Sequence, residues 1–138
     1  MAADPTLLDT SVLVAFLHAD ERAHGKAVRA LQDVPGPLLT TEAVLTESMH
    51  LLARTRGGPA ACLDFFLRDG AFLFPSSRAV LARCRELMAT YDDLPADFAD
   101  ATLVALAEET GAWSILTLDR QDFSVYRGRE GQRFRIRP

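Results

Sequence analysis
Thr6-Leu7-Leu8-Asp9-Thr10-Ser11-Val12-Leu13-Val14-Ala15-Phe16-Leu17 sets the plan of the whole chain. Its first three residues form a short apolar run that stops at an aspartate, the pattern of a buried strand. Ser11 to Leu17 is apolar and helix-compatible, and Asp9, Thr10 and Ser11 are all residue types that cap helix starts. A strand that ends on Asp and passes directly into a helix is the first unit of a strand–helix alternation.

The alternation continues outward from there. After the polar patch His18 to His24, Lys26 to Leu31 resumes a helical pattern, and Pro35-Gly36-Pro37 breaks it. Leu38-Leu39-Thr40 is a second strand, with Thr40 or Thr41 capping a helix from about Glu42 to Arg54. Gly57-Gly58-Pro59 is a second break, and a helix from Ala60 to Arg68 ends at Gly70. Ala71 to Phe74 reads as a third strand, stopped by Pro75, and Ser76 or Ser77 caps a helix that reaches Thr90 or Tyr91. After the loop Asp92-Asp93-Leu94-Pro95, Asp97 to Thr110 is apolar nearly all round, as a buried helix is, and Gly111 closes it. Ser114 to Thr117 is a fourth strand leading to Asp119, and Arg133-Phe134-Arg135-Ile136 alternates like an edge strand. The expected fold is a three-layer α/β/α domain over residues 1–138, with a mainly parallel sheet of four to five strands. Ligands of such sheets bind beyond the carboxyl ends of the strands.

Composition narrows the class. The chain has 138 residues, 49% hydrophobic and 25% charged, which excludes wholesale disorder. No apolar run approaches the ~20 residues of a membrane span. Met1-Ala2-Ala3-Asp4 lacks the basic start and apolar stretch of a signal peptide. Cys62 and Cys84 form neither a disulfide framework nor a zinc spacing, so reduced thiols in a cytoplasmic protein without a membrane partner are expected. The net charge of −4 argues at first against a nucleic-acid partner. Its distribution argues otherwise: residues 1–119 carry a net −8, and residues 120–138 carry six Arg and a net +4. Lys26 is the only lysine among 15 cations; Arg grips phosphate bidentately, and codon bias gives the same excess.

The carboxylates carry the chemistry. Strands one and four end at Asp9 and Asp119, so both point to one sheet edge. Glu47 lies two turns into the helix after strand two, and Asp100 one turn into the buried helix before strand four. Asp97 sits one turn earlier on that face, and Asp122 follows Asp119. A carboxylate on so apolar a helix as Asp100 is either paired or metal-bound, and no Lys or Arg lies near it in sequence. Converging carboxylates repel one another, and a divalent cation resolves the conflict. All-oxygen ligands suit Mg²⁺ or Mn²⁺ rather than zinc, and such ions activate water for phosphodiester hydrolysis. Taken singly, each acid has a plainer role: Asp9 and Asp97 as caps, Asp100 as a first-turn charge, Asp119 as a turn former, Glu47 as an exposed helix residue. Four of them sharing one sheet edge is less easily explained that way.

Four stretches together resemble the PIN-domain ribonucleases, most closely the VapC-type toxins of bacterial toxin–antitoxin pairs. They are Leu7 to Leu13, Thr40 to Glu47, Leu94 to Ala107, and Ile115 to Tyr126. The resemblance covers nearly the whole chain. It implies a Mg²⁺- or Mn²⁺-dependent endoribonuclease that cleaves RNA and slows translation, with Asp9, Glu47, Asp100 and Asp119 as metal ligands and catalytic residues. By analogy Thr10, Ser11 and Thr117 orient ligands or water, and Asp122 assists, as a further acidic position in the family. Asp97 is a supporting group or a cap. A homodimer and a cognate antitoxin are implied as partners. Phe65, Phe66 and Leu67 beside Arg68 read as core, with antitoxin contact as the other reading. In the basic tail, Arg120, Arg127 and Arg129 are the candidates for RNA contact.

Other classes fit less well. A phospho-acceptor domain needs a late lysine and an acidic pair after the first strand; the only lysine is Lys26, and Asp9 is followed by Thr10 and Ser11. A phosphatase with an Asp nucleophile needs Asp where Ser11 stands. His18, His24 and His50 share no ligand spacing and read as surface or capping residues. Trp113 reads as packing, and Gly57-Gly58-Pro59 matches no phosphate loop. The remaining alternatives are a non-catalytic RNA- or protein-binding module on the same scaffold, or an RNA-processing nuclease outside a toxin–antitoxin pair.

Overall fold
The computed structural model describes residues 3–94 and 97–138. Pro95 and Ala96 of the third motif and the loop before it, with Met1 and Ala2 of the amino terminus, lie outside the described residues. Five strands form one sheet: β1 (Thr6–Leu8), β2 (Leu38–Thr41), β3 (Phe72–Phe74), β4 (Ser114–Leu116) and β5 (Arg135–Arg137). Their order is β3-β2-β1-β4-β5, and every pairing is parallel. The helices are α1 (Thr10–Leu17), α2 (His24–Asp33), α3 (Glu42–Leu51), α4 (Gly58–Leu67), α5 (Arg78–Thr90), α6 (Phe98–Thr110) and α7 (Arg120–Val125).

The central strand is buried along its length, as a strand covered on both faces must be. Leu7 pairs with Leu39 on one side and Ile115 on the other. Right-handed crossovers, the rule between parallel strands, set α1 to α4 against one face and α5 to α7 against the other. Accordingly α1 packs on α2, α3 and α4, while α5 packs on α6. β1 feeds the chain toward β2, and β4 feeds it the opposite way toward β5. Adjacent strands whose exits diverge open a crevice between them, which locates the site.

Local chemistry explains most element boundaries. Thr41 and Ser77 cap α3 and α5 by accepting hydrogen bonds from the Val44 and Val80 amides. Residues Ala99 to Ala107 of α6 are buried, so this helix is core on nearly every side. The break at Gly57-Gly58-Pro59 is shorter than the sequence implies. Gly57 takes a left-handed φ of 72°, and Gly58 and Pro59 already form the first turn of α4, where proline's missing amide costs nothing.

The carboxyl-terminal part departs most from expectation. Residues 120–125 form α7, which the sequence pattern does not announce, and β5 begins at Arg135 rather than Arg133. Arg133 instead bridges antiparallel to Arg127. Aromatic packing holds this region. Phe123 is fully buried with its ring edge-on to Tyr126 (5.1 Å) and Phe134 (5.4 Å), and Trp113 tilts against Phe134 at 5.0 Å. The chain passes so close to Trp113 at Gly128 that a Cβ there would lie 2.6 Å from the indole. Phe123→Ala removes the centre of this cluster and is expected to destabilise the protein by about 3–5 kcal/mol in urea unfolding.

Candidate active site
A cleft of about 310 Å³ opens at the carboxyl ends of β1 and β4, lined by Asp9, Thr10, Ser11, Glu47, Leu51, Asp97, Asp100, Asp119 and Asp122. It gathers all four expected carboxylates, and Asp97 and Asp122 with them. Of the expected supporting hydroxyls, Thr10 and Ser11 line it and Thr117 lies buried just beneath. Arg120, Arg127 and Arg129 do not line it. The Arg120 side chain donates to the Pro138 carbonyl, and Arg127 Nη1 donates to the carbonyls of Ser124 and Tyr126. Arg129 pairs with Glu86 of α5 at 3.3 Å. Of the apolar trio on α4, Phe65 and Phe66 pack partly on the core, whereas Leu67 is 79% exposed.

Two hydroxyls join the ends of the central strands. Thr117 Oγ1 donates to Asp9 Oδ2 at 2.7 Å, and Ser11 Oγ donates to the same oxygen at 3.1 Å. Having given their protons to Asp9, both accept from the backbone beyond β4. Leu118 N–H reaches Ser11 Oγ at 2.9 Å, and Asp119 N–H reaches Thr117 Oγ1 at 2.9 Å. One aspartate oxygen is thereby fixed, and β1 is tied to the turn that carries Asp119. Asp9 occupies the cap position of α1 but makes no capping hydrogen bond, so its carboxylate is held for something other than the helix. Thr10 Oγ1 likewise donates to Glu47 Oε2 at 3.2 Å, across from α1 to α3.

Asp97 and Asp119 do cap their helices. Asp97 Oδ1 accepts from the Asp100 amide at 2.8 Å, and Asp119 Oδ1 from the Asp122 amide at 3.3 Å. Each cap thus steers a second acid, one turn on, toward the cleft. Oxygens of Asp100, Asp119 and Asp122 lie within 4.8 Å of one another. Sequence reasoning missed one contact: Tyr126, buried at the end of α7, donates its hydroxyl to Asp100 Oδ2 at 2.8 Å. Its only sequence signal is a large aromatic seven positions after the aspartate that follows the fourth strand, which alone does not distinguish packing from support.

The electrostatics follow from burial and crowding. Desolvation, helped by the Glu47 charge and opposed by the two hydroxyls, pushes the Asp9 carboxyl up to about 6. Desolvation and the charges of Asp9 and Asp97 push Asp100 up to about 8, against the Tyr126 hydrogen bond. Burial also raises Glu47, with Asp97 adding to it, and raises Asp122, with Asp119 adding to it. Among the described residues no Lys or Arg lines the cleft to compensate. The donor set is carboxylate oxygen throughout, dense and short of cations, and it fits a hard divalent ion.

A carboxyl whose pKa is higher in the folded chain favours folding in its protonated form. That contribution is complete at low pH and is lost as pH rises through about 6 for Asp9 and about 8 for Asp100. The metal-free protein should therefore melt lower at pH 8.5 than at pH 5.5, by on the order of 5 °C in scanning calorimetry. Asp100→Asn should raise the melting temperature at the higher pH and shrink the difference.

Comparison with known proteins agrees with this architecture. The PIN domain model matches residues 6–128. Ribonuclease VapC26 of Mycobacterium tuberculosis is 33% identical over 135 residues, 96% of this chain and 99% of that protein. The crystal structure of Mycobacterium tuberculosis VapC20, a sarcin-ricin loop cleaving toxin, superposes with a TM-score of 0.74 at 24% identity, covering 84% of this chain and 91% of that one. VapBC2 of Rickettsia felis, bound to a DNA fragment from its promoter, gives 0.67 at 14% identity over 97% and 99% of the two chains. A toxin–antitoxin complex from Klebsiella pneumoniae gives 0.59 at 21% identity over 87% and 91%. The structural likenesses establish the fold; the domain match and the identity to VapC26 along the whole chain establish descent. The chain belongs to the PIN-domain family, in its VapC group.

Proposed function
We propose that the protein is a Mg²⁺- or Mn²⁺-dependent endoribonuclease, acting as a toxin that cuts RNA and slows translation until a cognate antitoxin neutralises it. The observation that carries this reading is the cleft itself: Asp9, Glu47, Asp100, Asp119 and Asp122 converge there with no Lys or Arg among the described lining residues, in a chain 33% identical to a ribonuclease over 96% of its length. A non-catalytic binding module has no need to keep such a destabilising set. The antitoxin and a homodimer are the protein partners that go with this reading, and the cytoplasm is its compartment. Among the described residues no helix is long and apolar enough to cross a membrane.

Each residue has a role in that chemistry. Asp100, Asp119 and Asp122 would hold the metal, with Asp9 and Glu47 of the same cleft completing its surroundings. The bound cation supplies Lewis acidity toward the scissile phosphate and lowers the pKa of the attacking water. Asp9 is aimed by Thr117 and Ser11, which bind one of its oxygens and leave the other for the cleft. Thr10 aims Glu47 in the same way, and Asp97 orients the first turn of α6 from which Asp100 projects. Tyr126 binds the inner oxygen of Asp100 and so presents the outer one. With acids alone around it, a phosphodiester is repelled until the cation is in place.

Asp100→Asn should abolish cleavage of RNA in magnesium or manganese and relieve growth arrest on expression, while circular dichroism shows the fold retained; a folded variant with normal cleavage would defeat the assignment. Magnesium at millimolar concentration should raise the melting temperature of the wild type and not of Asp100→Asn. Tyr126→Phe should weaken metal binding about 10- to 100-fold by calorimetric titration.

A further inference from the structure
β5 is an edge strand with arginine at both ends, Arg135 and Arg137, and Arg133 lies two residues before it. Phe134 and Ile136 turn inward onto the core, while Arg133 and Arg135 are exposed and Arg137 is half-buried. Among the described residues none of these three guanidinium groups has a hydrogen-bond or ion-pair partner. Arg127 and Arg129, by contrast, are engaged with backbone carbonyls and with Glu86. Residues two apart in extended chain stand about 6.6 Å apart, so the stretch from Arg133 to Arg137 covers at most about 13 Å.

The upper end of this line lies at the same sheet edge as the acidic cleft, without lining it. The Arg137 carbonyl accepts from the Thr117 amide at 2.8 Å, and Thr117 is the residue whose hydroxyl fixes Asp9. At the lower end Arg133 and Arg135 line a separate cleft of about 370 Å³ at the amino ends of the strands, together with Trp113. Asp4 also lines that cleft and forms no ion pair with either arginine.

Charge on an edge strand blocks unwanted strand pairing, but one or two charges of either sign do that. Three like charges in a row repel one another, and a counter-charge laid along them relieves the repulsion. The cleft, lined by carboxylates, repels a polyanion, so attraction for one has to come from outside it. We propose that Arg133, Arg135 and Arg137 form a phosphate track that leads a single RNA strand along β5 into the acidic cleft. The proposal rests on the reading of the cleft as a ribonuclease centre. Arginine forks are suited to successive phosphate groups, and such a track binds without regard to base sequence.

The test uses the full chain carrying Asp100→Asn, to prevent cleavage, in magnesium, with a fluorescent single-stranded RNA of about 20 nucleotides. Anisotropy is followed between about 50 and 200 mM salt. Adding Arg133→Gln, Arg135→Gln and Arg137→Gln should weaken binding at least about tenfold and flatten the salt slope by about 2, the release expected from three single-strand phosphates. The matching triple Lys variant should keep the slope. The triple Arg22→Gln, Arg29→Gln, Arg85→Gln, equal in charge change but distant in sequence from the strand, should leave binding unchanged. Unchanged RNA binding by the β5 glutamine triple overturns the track, as does an equal loss in the distant triple. Loss of antitoxin binding alone overturns it too and assigns the edge to protein. Active-site failure is separable: if the otherwise wild-type Asp100→Asn protein still cleaves RNA while the β5 triple loses binding, the nuclease centre falls and the track stands.

Discussion
Carboxylate oxygens of Asp100, Asp119 and Asp122 are held within 4.8 Å of one another, and Asp9 and Glu47 line the same cleft. That repulsion is the constraint to which the surrounding structure answers. Left to itself, each acid would swing toward water. Instead four of the five are restrained: Asp9 by the hydroxyls of Thr117 and Ser11, Glu47 by Thr10, Asp100 by Tyr126, and Asp119 by the Asp122 amide it caps. Raised proton affinity at Asp9 and Asp100 is the electrostatic trace of the same constraint. The site is costly to build, and the fold concentrates its rigid elements around it.

The sheet order supplies that rigidity. β1 and β4 are adjacent but send the chain in opposite directions, so the crevice between their exits is a consequence of topology rather than of any one loop. Hydroxyls then close the two exits against each other through Asp9. The aromatic cluster of Phe123, Tyr126, Phe134 and Trp113 holds α7 and β5 to the body of the protein, and it thereby places Tyr126 behind Asp100. Packing and site geometry are coupled here: the residue that fills the core also aims a carboxylate.

Charge placement has the same logic. A net −4 describes neither surface that matters. Negative charge is gathered in one cleft, where a cation reverses its effect on phosphate, and much of the positive charge lies in the last 19 residues. Within that tail the arginines differ. Arg129 is tied to the α5 helix through Glu86, next to the paired Arg83 and Glu108, whereas Arg133 and Arg135 are exposed.

The order of strands and helices, the buried α6 and the four acids of the motifs are legible in the chain because they depend on local signals: short apolar runs, caps and aspartates at strand ends. Asp9 shows the limit of such signals, since its position reads equally as a helix cap, and only Thr117, 108 residues away, reveals that its oxygen is used otherwise. α7 is too short and mixed for a periodic pattern; its aromatic contacts to Phe134 and Tyr126 sustain it. The start of β5 two residues late, and the contact of Tyr126 with Asp100, follow from the same long-range packing. Sequence alone determined which groups are present and which sheet edge they approach, because backbone propensity and patterning are local. The tertiary structure decided which oxygen of each carboxylate is held and which is free, because that depends on partners brought together from distant parts of the chain.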